Sequence, residues 1–192
     1  MNSSSSGALV PGSVGALAQS SGRSVAEVFM AVDAVVVVDT SGSMAAHDSR
    51  GGQSRYDVAC AELAKLQAAQ PGKLGVISFS DKAQFCPSGV PVNGGGGTDL
   101  AGALRLAKTA DVAGMRFVVV SDGEPDDEEA ALAEARRFVG RIDVIYVGPE
   151  TNTHGREFLA RLARARGGEF VTADRAVELA AATTTLLLAC RT

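Results

Sequence analysis

The chain has 192 residues, of which 46% are hydrophobic and 21% charged, and this composition excludes a disordered polypeptide. The 18 Lys and Arg against 22 Asp and Glu give a net charge of −4, which provides no electrostatic reason for nucleic acid or an anionic membrane as a partner. No apolar run approaches the roughly 20 residues that a membrane-spanning helix requires, and the length suits one domain with a full core.

The first 23 residues are rich in Ser, Gly and Ala and show no periodicity. Leu9-Val10-Pro11-Gly12-Ser13 resembles a cloning linker, and the segment lacks the basic and apolar regions of a secretory signal. We therefore predict a flexible segment without function over residues 1–23 and one folded domain over residues 24–192. Ser24–Met30 is predicted to form one or two helical turns.

From Val32 onward, apolar β-branched runs alternate with helical patterns. The run Val32–Val38 is typical of a strand buried on both faces of a parallel sheet. Further strands are predicted over Lys73–Ser80, Ala83–Cys86, Met115–Val120, Ile142–Val147 and Glu169–Thr172, and helices over about Ser54–Ala69, Asp99–Thr109, Asp126–Gly140, Thr153–Arg166 and Asp174–Cys190. Asp81-Lys82 turns the second strand tightly into the third, as in a hairpin. The pattern predicts an α/β, doubly wound Rossmann-like fold with a six-stranded, mostly parallel sheet, one antiparallel edge strand and helices on both faces.

Polar residues follow two of these buried strands. Asp39-Thr40-Ser41-Gly42-Ser43 follows the first strand and Ser121-Asp122-Gly123 the fourth, and right-handed crossovers place both at the same sheet edge, where α/β proteins bind ligands. Thr98 ends the Gly-rich loop Pro87–Gly97. Carboxylates and hydroxyls are hard oxygen donors of the kind that magnesium prefers. Taken alone, however, Asp-x-Ser-x-Ser equally suits a helix N-cap, and the glycines suit a plain connector.

Together the three stretches resemble the metal-ion-dependent adhesion site of the von Willebrand factor type A (VWA) family, and the resemblance covers about Val32 to Cys190. All positions of the family's Asp-x-Ser-x-Ser, Thr and Asp set are matched, by Asp39, Ser41, Ser43, Thr98 and Asp122. The resemblance implies a Mg²⁺ site, with Mn²⁺ or Ca²⁺ as alternatives. It also implies that Ser41, Ser43 and in some states Thr98 contact the metal directly, while the two Asp residues act through water or through the serines.

An open coordination position in such a site would bind an Asp or Glu side chain of a partner protein. The resemblance therefore implies a metal-dependent protein-binding module of the adhesion type. Compact bacterial members of the family often work inside the cell beside other proteins, including ATPases in multiprotein assemblies, whereas secreted members mediate adhesion. In some relatives an exchange at the Thr98 position couples to movement of the last helix, here Asp174–Cys190.

The cysteines give the prediction for localisation. Cys60, Cys86 and Cys190 form no Cys-x-x-Cys pair of the kind that zinc and redox sites use, and their number is odd. Reduced thiols in a cytosolic protein are the simplest interpretation. We expect a cytoplasmic protein, with secretion as the alternative if a signal has been removed.

Two other classes of function remain open on the sequence. A Mg²⁺-dependent hydrolase would need a positioned general base. His47 lies in a flexible polar stretch, His154 begins a helix away from the metal loops, and no Gly-x-Ser-x-Gly elbow is present. We therefore expect no enzymatic activity. A structural scaffold with an unused metal site is the other alternative, and the complete set of ligand types argues against it.

Overall fold

The computed structural model describes residues 9–48, 52–123, 125–149 and 151–172. Its strands are β1 Ala34–Asp39, β2 Leu74–Phe79, β3 Ala83–Phe85, β4 Arg116–Ser121, β5 Arg141–Tyr146 and β6 Phe170–Thr172. Its helices are α1 Val14–Ser21, α2 Val25–Phe29, α3 Arg55–Ala69, α4 Leu100–Ala107, α5 Glu128–Arg136 and α6 Thr153–Arg164. The predicted last helix, Asp174–Cys190, lies outside the described residues.

The strands form one sheet in the order β3-β2-β1-β4-β5-β6. All neighbours pair in parallel except β3, which runs antiparallel to β2 with Ala83 opposite Phe79. This confirms the predicted six-stranded, mostly parallel sheet with one antiparallel edge strand. Strand order reverses between β1 and β4, and ligands of open α/β sheets bind at such a reversal, beyond the carboxyl ends of the strands.

Alternate residues of β1 point into two separate hydrophobic cores. Val35 and Val37 pack in one core with residues of α4, α5 and α6, among them Leu104, Leu132 and Leu159. Ala34, Val36 and Val38 pack in the other core with Leu63 and Leu66 of α3. Both faces of the strand are buried, which explains its unbroken apolar run. None of the helices in the described part of the chain is long and apolar enough to cross a membrane.

Over residues 9–23, the part of the predicted flexible segment 1–23 that the structure describes, helix α1 corrects the prediction. Ser13 caps the helix by accepting a hydrogen bond from the Ala16 amide, and Val14 is buried against the domain. The Gly12 carbonyl accepts a 2.8 Å hydrogen bond from Gly72, and the Gly15 amide donates to the Pro87 carbonyl at 2.7 Å. The helix is only 8 residues long and buries few side chains, so its periodicity was too weak to be recognised.

The helix starts were predicted with mixed success. Ser54 caps α3 and Asp99 caps α4, which confirms both predictions. The helix predicted to start at Asp126 starts two residues later, at Glu128. The cap of α5 is Asp127, which accepts a 2.9 Å hydrogen bond from the Ala130 amide. Asp126 instead accepts a hydrogen bond from the Thr98 amide.

Candidate metal centre

The residues of the candidate site come from the carboxyl ends of β1 and β4. Asp39 is the last residue of β1, Ser121 is the last residue of β4, and Asp122 follows it. Ser41 precedes a single turn of 3₁₀ helix, Gly42–Ala45, which places Ser43 beside it. Because β1 and β4 are neighbours in the sheet, residues distant in the sequence meet at the point where the strand order reverses.

Hydrogen bonds connect four of the five predicted ligands. The Ser41 and Ser43 hydroxyl oxygens are 3.1 Å apart, and the Ser43 hydroxyl donates to Asp122 Oδ1 at 2.9 Å. Asp39 Oδ1 accepts from the Ser41 amide at 2.8 Å, while Asp39 Oδ2 accepts from the Ser121 hydroxyl at 2.6 Å. The structure therefore brings Asp39, Ser41, Ser43 and Asp122 together, and it adds Ser121 as the residue that holds Asp39.

Asp39 is a fully buried carboxyl group. Burial raises its pKa to about 6, because the charged form loses hydration. Hydrogen bonds from Ser121 and Ser41 oppose this rise, and the charge of Asp122 adds to it. A cation bound nearby would favour the charged form again, so the pKa of Asp39 and metal binding are linked.

Thr98, the fifth predicted ligand, lies at the same edge of the sheet but is less closely connected. Among the described residues, its hydroxyl makes no hydrogen bond to the other four. Its backbone is held instead by Asp126, whose Oδ2 accepts from the Thr98 amide at 3.0 Å and whose amide donates to the Thr98 carbonyl at 3.1 Å. Asp126 therefore positions the Thr98 segment from the β4–α5 loop.

The Gly-rich loop before Thr98 packs directly on the loop after β1. Gly95 donates its amide hydrogen to the Thr40 carbonyl at 3.0 Å, and Gly42 donates to the Gly96 carbonyl at 3.2 Å. Gly96 has φ of +79°, and a Cβ there would lie 2.2 Å from an Asp81 carboxylate oxygen. The Asp81 side chain can move away from a Cβ, so glycine is favoured at this position mainly by the positive φ, which residues with a Cβ rarely adopt.

Arg55 contacts the candidate site and was not predicted from the sequence. It is the first residue of α3, its side chain is 9% exposed, and its Nη1 donates to Asp122 Oδ2 at 2.6 Å. Nε donates to Asp48 Oδ1 at 2.8 Å, and Nη2 donates to Asp48 Oδ2. The hydrogen bonds to Asp48 and then to Asp122 raise the pKa of Arg55 above its ordinary value, against the effect of burial.

A signal for Arg55 was present in the sequence. A positive charge in the first turn of a helix is unfavourable, because it opposes the helix dipole. Natural proteins keep such unfavourable residues mainly at functional sites. Asp126 gave no such signal, because an acidic residue at a helix start is ordinary.

A cleft of about 320 Å³ opens beside these groups, lined by Ser43, Arg55, Asp122, Gly123, Pro149 and Asn152. Asn152 caps α6, with its Oδ1 accepting from the Gly155 amide at 3.0 Å. Ser43 and Asp122 thus face the cleft, while Ser41 and Asp39 are buried behind them.

The donor set fits a hard divalent cation. Every side chain in it offers oxygen. The hydrogen of the Ser43 hydroxyl is directed to Asp122, so the Ser41 hydroxyl donates to Ser43, and Ser43 keeps one lone pair for a cation. Within the described ranges, no group of three or more His, Cys, Asp or Glu residues is placed to hold a metal. A cation here would therefore depend on hydroxyl ligands.

Comparisons with known proteins identify the fold as that of VWA domains. No family model matches the sequence, and a search of curated proteins finds no match. Solved structures do match, and VWA domains are among them.

The similar structures come from several different organisms. An aerotolerance-related membrane protein from Bacteroides fragilis is 18% identical, with a TM-score of 0.61 over 82% of this chain and 99% of that chain. A von Willebrand factor type A protein from Catenulispora acidiphila is 17% identical, with a TM-score of 0.58 over 80% of this chain and 41% of that chain. The manganese-loaded TRAP protein of Plasmodium vivax is 17% identical, with a TM-score of 0.57 over 81% of this chain and 73% of that chain. At these identities the similarity concerns the fold.

Proposed function

We propose that this chain is a divalent-metal-dependent protein-binding module that captures an acidic side chain of a partner protein. The observation that carries the proposal is the continuous hydrogen-bonded set of Asp39, Ser41, Ser43 and Asp122 at the reversal of strand order. Oxygen donors from two strand ends meet there beside an open cleft. The manganese bound by a protein of the same fold, TRAP, further supports a divalent cation.

The serine hydroxyls would hold the cation directly, with Thr98 as a further ligand from the Gly-rich loop. When bound, the cation supplies an electrophilic centre for one more anionic oxygen. The direct hydroxyl ligands are neutral, and the carboxylates of Asp39 and Asp122 would act from behind them through water or the serines, so the cation would keep much of its positive charge toward the open position. Mg²⁺ is the proposed ion because it retains water ligands readily, with Mn²⁺ and Ca²⁺ as alternatives.

The residues of this chain prepare the site for that role. Ser121 and the Ser41 amide hold the Asp39 carboxylate, and Ser43 orients Asp122. The cleft beside Ser43 admits a carboxylate side chain from a partner. A partner that presents Asp or Glu on a protruding segment fits this geometry, and an ATPase or a subunit of a multiprotein assembly in the cytoplasm is the proposed kind of partner.

Thermal unfolding with and without millimolar Mg²⁺ or Mn²⁺ tests the metal site. Binding to the native state raises the melting temperature by mass action, and Ser43→Ala should abolish the rise. Ser20→Ala, which changes an exposed serine of α1, is the matched control. A melting temperature that does not change with metal in the wild-type protein would favour a scaffold with an unused site.

Co-purification of partners in the presence and absence of a chelator tests the binding role. A partner retained only with metal, and lost in Ser43→Ala, supports carboxylate capture. A partner retained equally under both conditions contradicts it.

A Mg²⁺-dependent hydrolase is the alternative that the geometry favours less. His47 Nδ1 pairs with the Gly52 carbonyl at 3.0 Å, and His154 Nε2 lies 2.7 Å from Glu128 Oε1. Neither ring hydrogen-bonds to a candidate ligand among the described residues. Metal-dependent turnover of a generic phosphoester, lost in Asp39→Ala, would reverse this ranking.

A further inference from the structure

Arg55 connects the candidate metal centre to the loop that follows it. Its guanidinium group binds one oxygen of Asp122 and both oxygens of Asp48, while Ser43 binds the other oxygen of Asp122. Guanidinium remains protonated in proteins, so this is a permanent positive charge. The chain itself therefore offsets part of the charge of one of the two carboxylates of the site, because Asp48 and Asp122 share the single charge of Arg55.

A purely structural role explains this arrangement poorly. The Arg55 amide donates to the Ala46 carbonyl at 3.1 Å, so the loop is already closed by the backbone. A cation at a helix N-terminus opposes the dipole, and burying an ion pair costs desolvation energy that its attraction barely offsets. The side chain is nevertheless buried, with its charge directed at Asp122.

We propose that Arg55 sets the balance between metal affinity and carboxylate affinity at this site. Its charge offsets that of Asp122, so a cation bound among the hydroxyls is held less tightly but keeps more of its positive charge. That remaining charge attracts the carboxylate of the partner. Arg55 is then a specificity-determining residue that makes the site select anionic ligands, and Asp48 moderates its effect. This inference rests on the proposed function of the site.

The test measures two affinities in each variant. Mn²⁺ affinity is measured by isothermal titration calorimetry. The open coordination position of the Mn²⁺-loaded protein is then titrated with acetate, whose binding displaces metal-bound water and lowers the water-proton relaxation rate. Arg55→Gln should bind Mn²⁺ more tightly and acetate more weakly, each on the order of tenfold, because one unit charge acts on a divalent ion at short range.

Three further variants separate charge from structure. Asp48→Asn removes a negative charge next to Arg55 and should shift both affinities in the opposite direction to Arg55→Gln. Arg55→Lys keeps the charge but loses the planar fork, and both affinities should stay close to those of the wild type. Lys65→Gln removes an equal charge from an exposed position on α3 and should change neither affinity.

The outcomes distinguish this inference from the function on which it rests. If the wild-type protein binds Mn²⁺ and acetate but Arg55→Gln weakens both, or if Arg55→Lys behaves as Arg55→Gln does, Arg55 is only structural and the inference is wrong. If Asp48→Asn shifts the affinities in the same direction as Arg55→Gln, the charge argument also fails. If the wild-type protein takes up no metal, the proposed function itself is overturned, and the inference with it.

Discussion

Replacement of Asp39 by Asn tests how far the buried carboxylate lowers the free energy of unfolding when no cation is bound. Asn has the shape of Asp but carries no charge. Its Oδ1 can accept from the Ser41 amide, and its Nδ2 can donate to the Ser121 hydroxyl, which rotates to accept. The substitution therefore removes the charge and preserves the hydrogen-bonding geometry.

The magnitude follows from the pKa of Asp39. Its rise from the ordinary value of 3.8 to about 6 corresponds to about 3 kcal/mol. Since the native state holds the proton more tightly than the unfolded state does, the free energy of unfolding falls as the pH rises through this range. The decrease in the free energy of unfolding is absent below pH 3.8 and complete above about pH 6. Without metal, Asp39→Asn should be more stable than the wild type by up to about 3 kcal/mol at neutral pH.

Urea denaturation of both proteins in the presence of chelator, on either side of this pH range, measures the difference directly. The stability advantage of Asp39→Asn should shrink as the pH falls from about 6 to 3.8, and saturating Mg²⁺ should stabilise only the wild type. A difference between the two proteins that does not vary with pH would refute the reasoning, because it would mean that Asp39 is not destabilised by its burial.

Two matched pairs of substitutions test other parts of the structure. Asp126→Ala removes the acceptor of the Thr98 amide and should weaken Mn²⁺ binding by roughly tenfold in calorimetry, as loss of an outer-shell partner does. Asp127→Ala removes only the cap of α5 and should lower the free energy of unfolding by about 1 kcal/mol without changing Mn²⁺ affinity. Equal Mn²⁺ affinities in the Asp126 and Asp127 variants would contradict a role for Thr98. Gly12→Ala should cost more than about 2 kcal/mol in urea denaturation, because φ is +81° and the new Cβ would lie 2.0 Å from the Gln67 carbonyl oxygen. At Gly22, φ is +68° but a new Cβ would meet no atom within 4 Å, so Gly22→Ala should lower the free energy of unfolding by only about 1 kcal/mol. An equal loss of stability in both variants would show that α1 does not dock as described.

The sheet was predictable from the sequence because its strands are buried on both faces. A run such as Val35–Val38 leaves no polar face for solvent, so it indicates a central parallel strand, and β1 does pair in parallel with both β2 and β4. Asp39 and Asp122 were predictable as neighbours for the same reason, since each ends such a strand. Their exact hydrogen-bond partners were not, because the partners depend on loop geometry.

Residues that act on the site from loops and helix ends escaped prediction. Arg55, Asp48 and Asp126 are charged residues in polar stretches, where a solvated surface position is the usual interpretation. Helix α1 escaped because its docking relies on the close approach of Gly12 to the backbone at Gln67, which composition does not reveal. The hydroxyl of Thr98 was predicted as a ligand, and its role stays a prediction.

The hydrogen bond from Ser121 to Asp39 joins residues 82 positions apart in the chain. Such a contact closes a long loop, so it forms only after the chain entropy of that loop has been lost, when β1 and β4 have paired. A peptide that carries only the Asp-x-Ser-x-Ser stretch would lack the oxygen atoms of Thr98 and Asp122. The proposed recognition would therefore be a property of the complete topology, and a nascent or cleaved polypeptide would present no competing copy of the site.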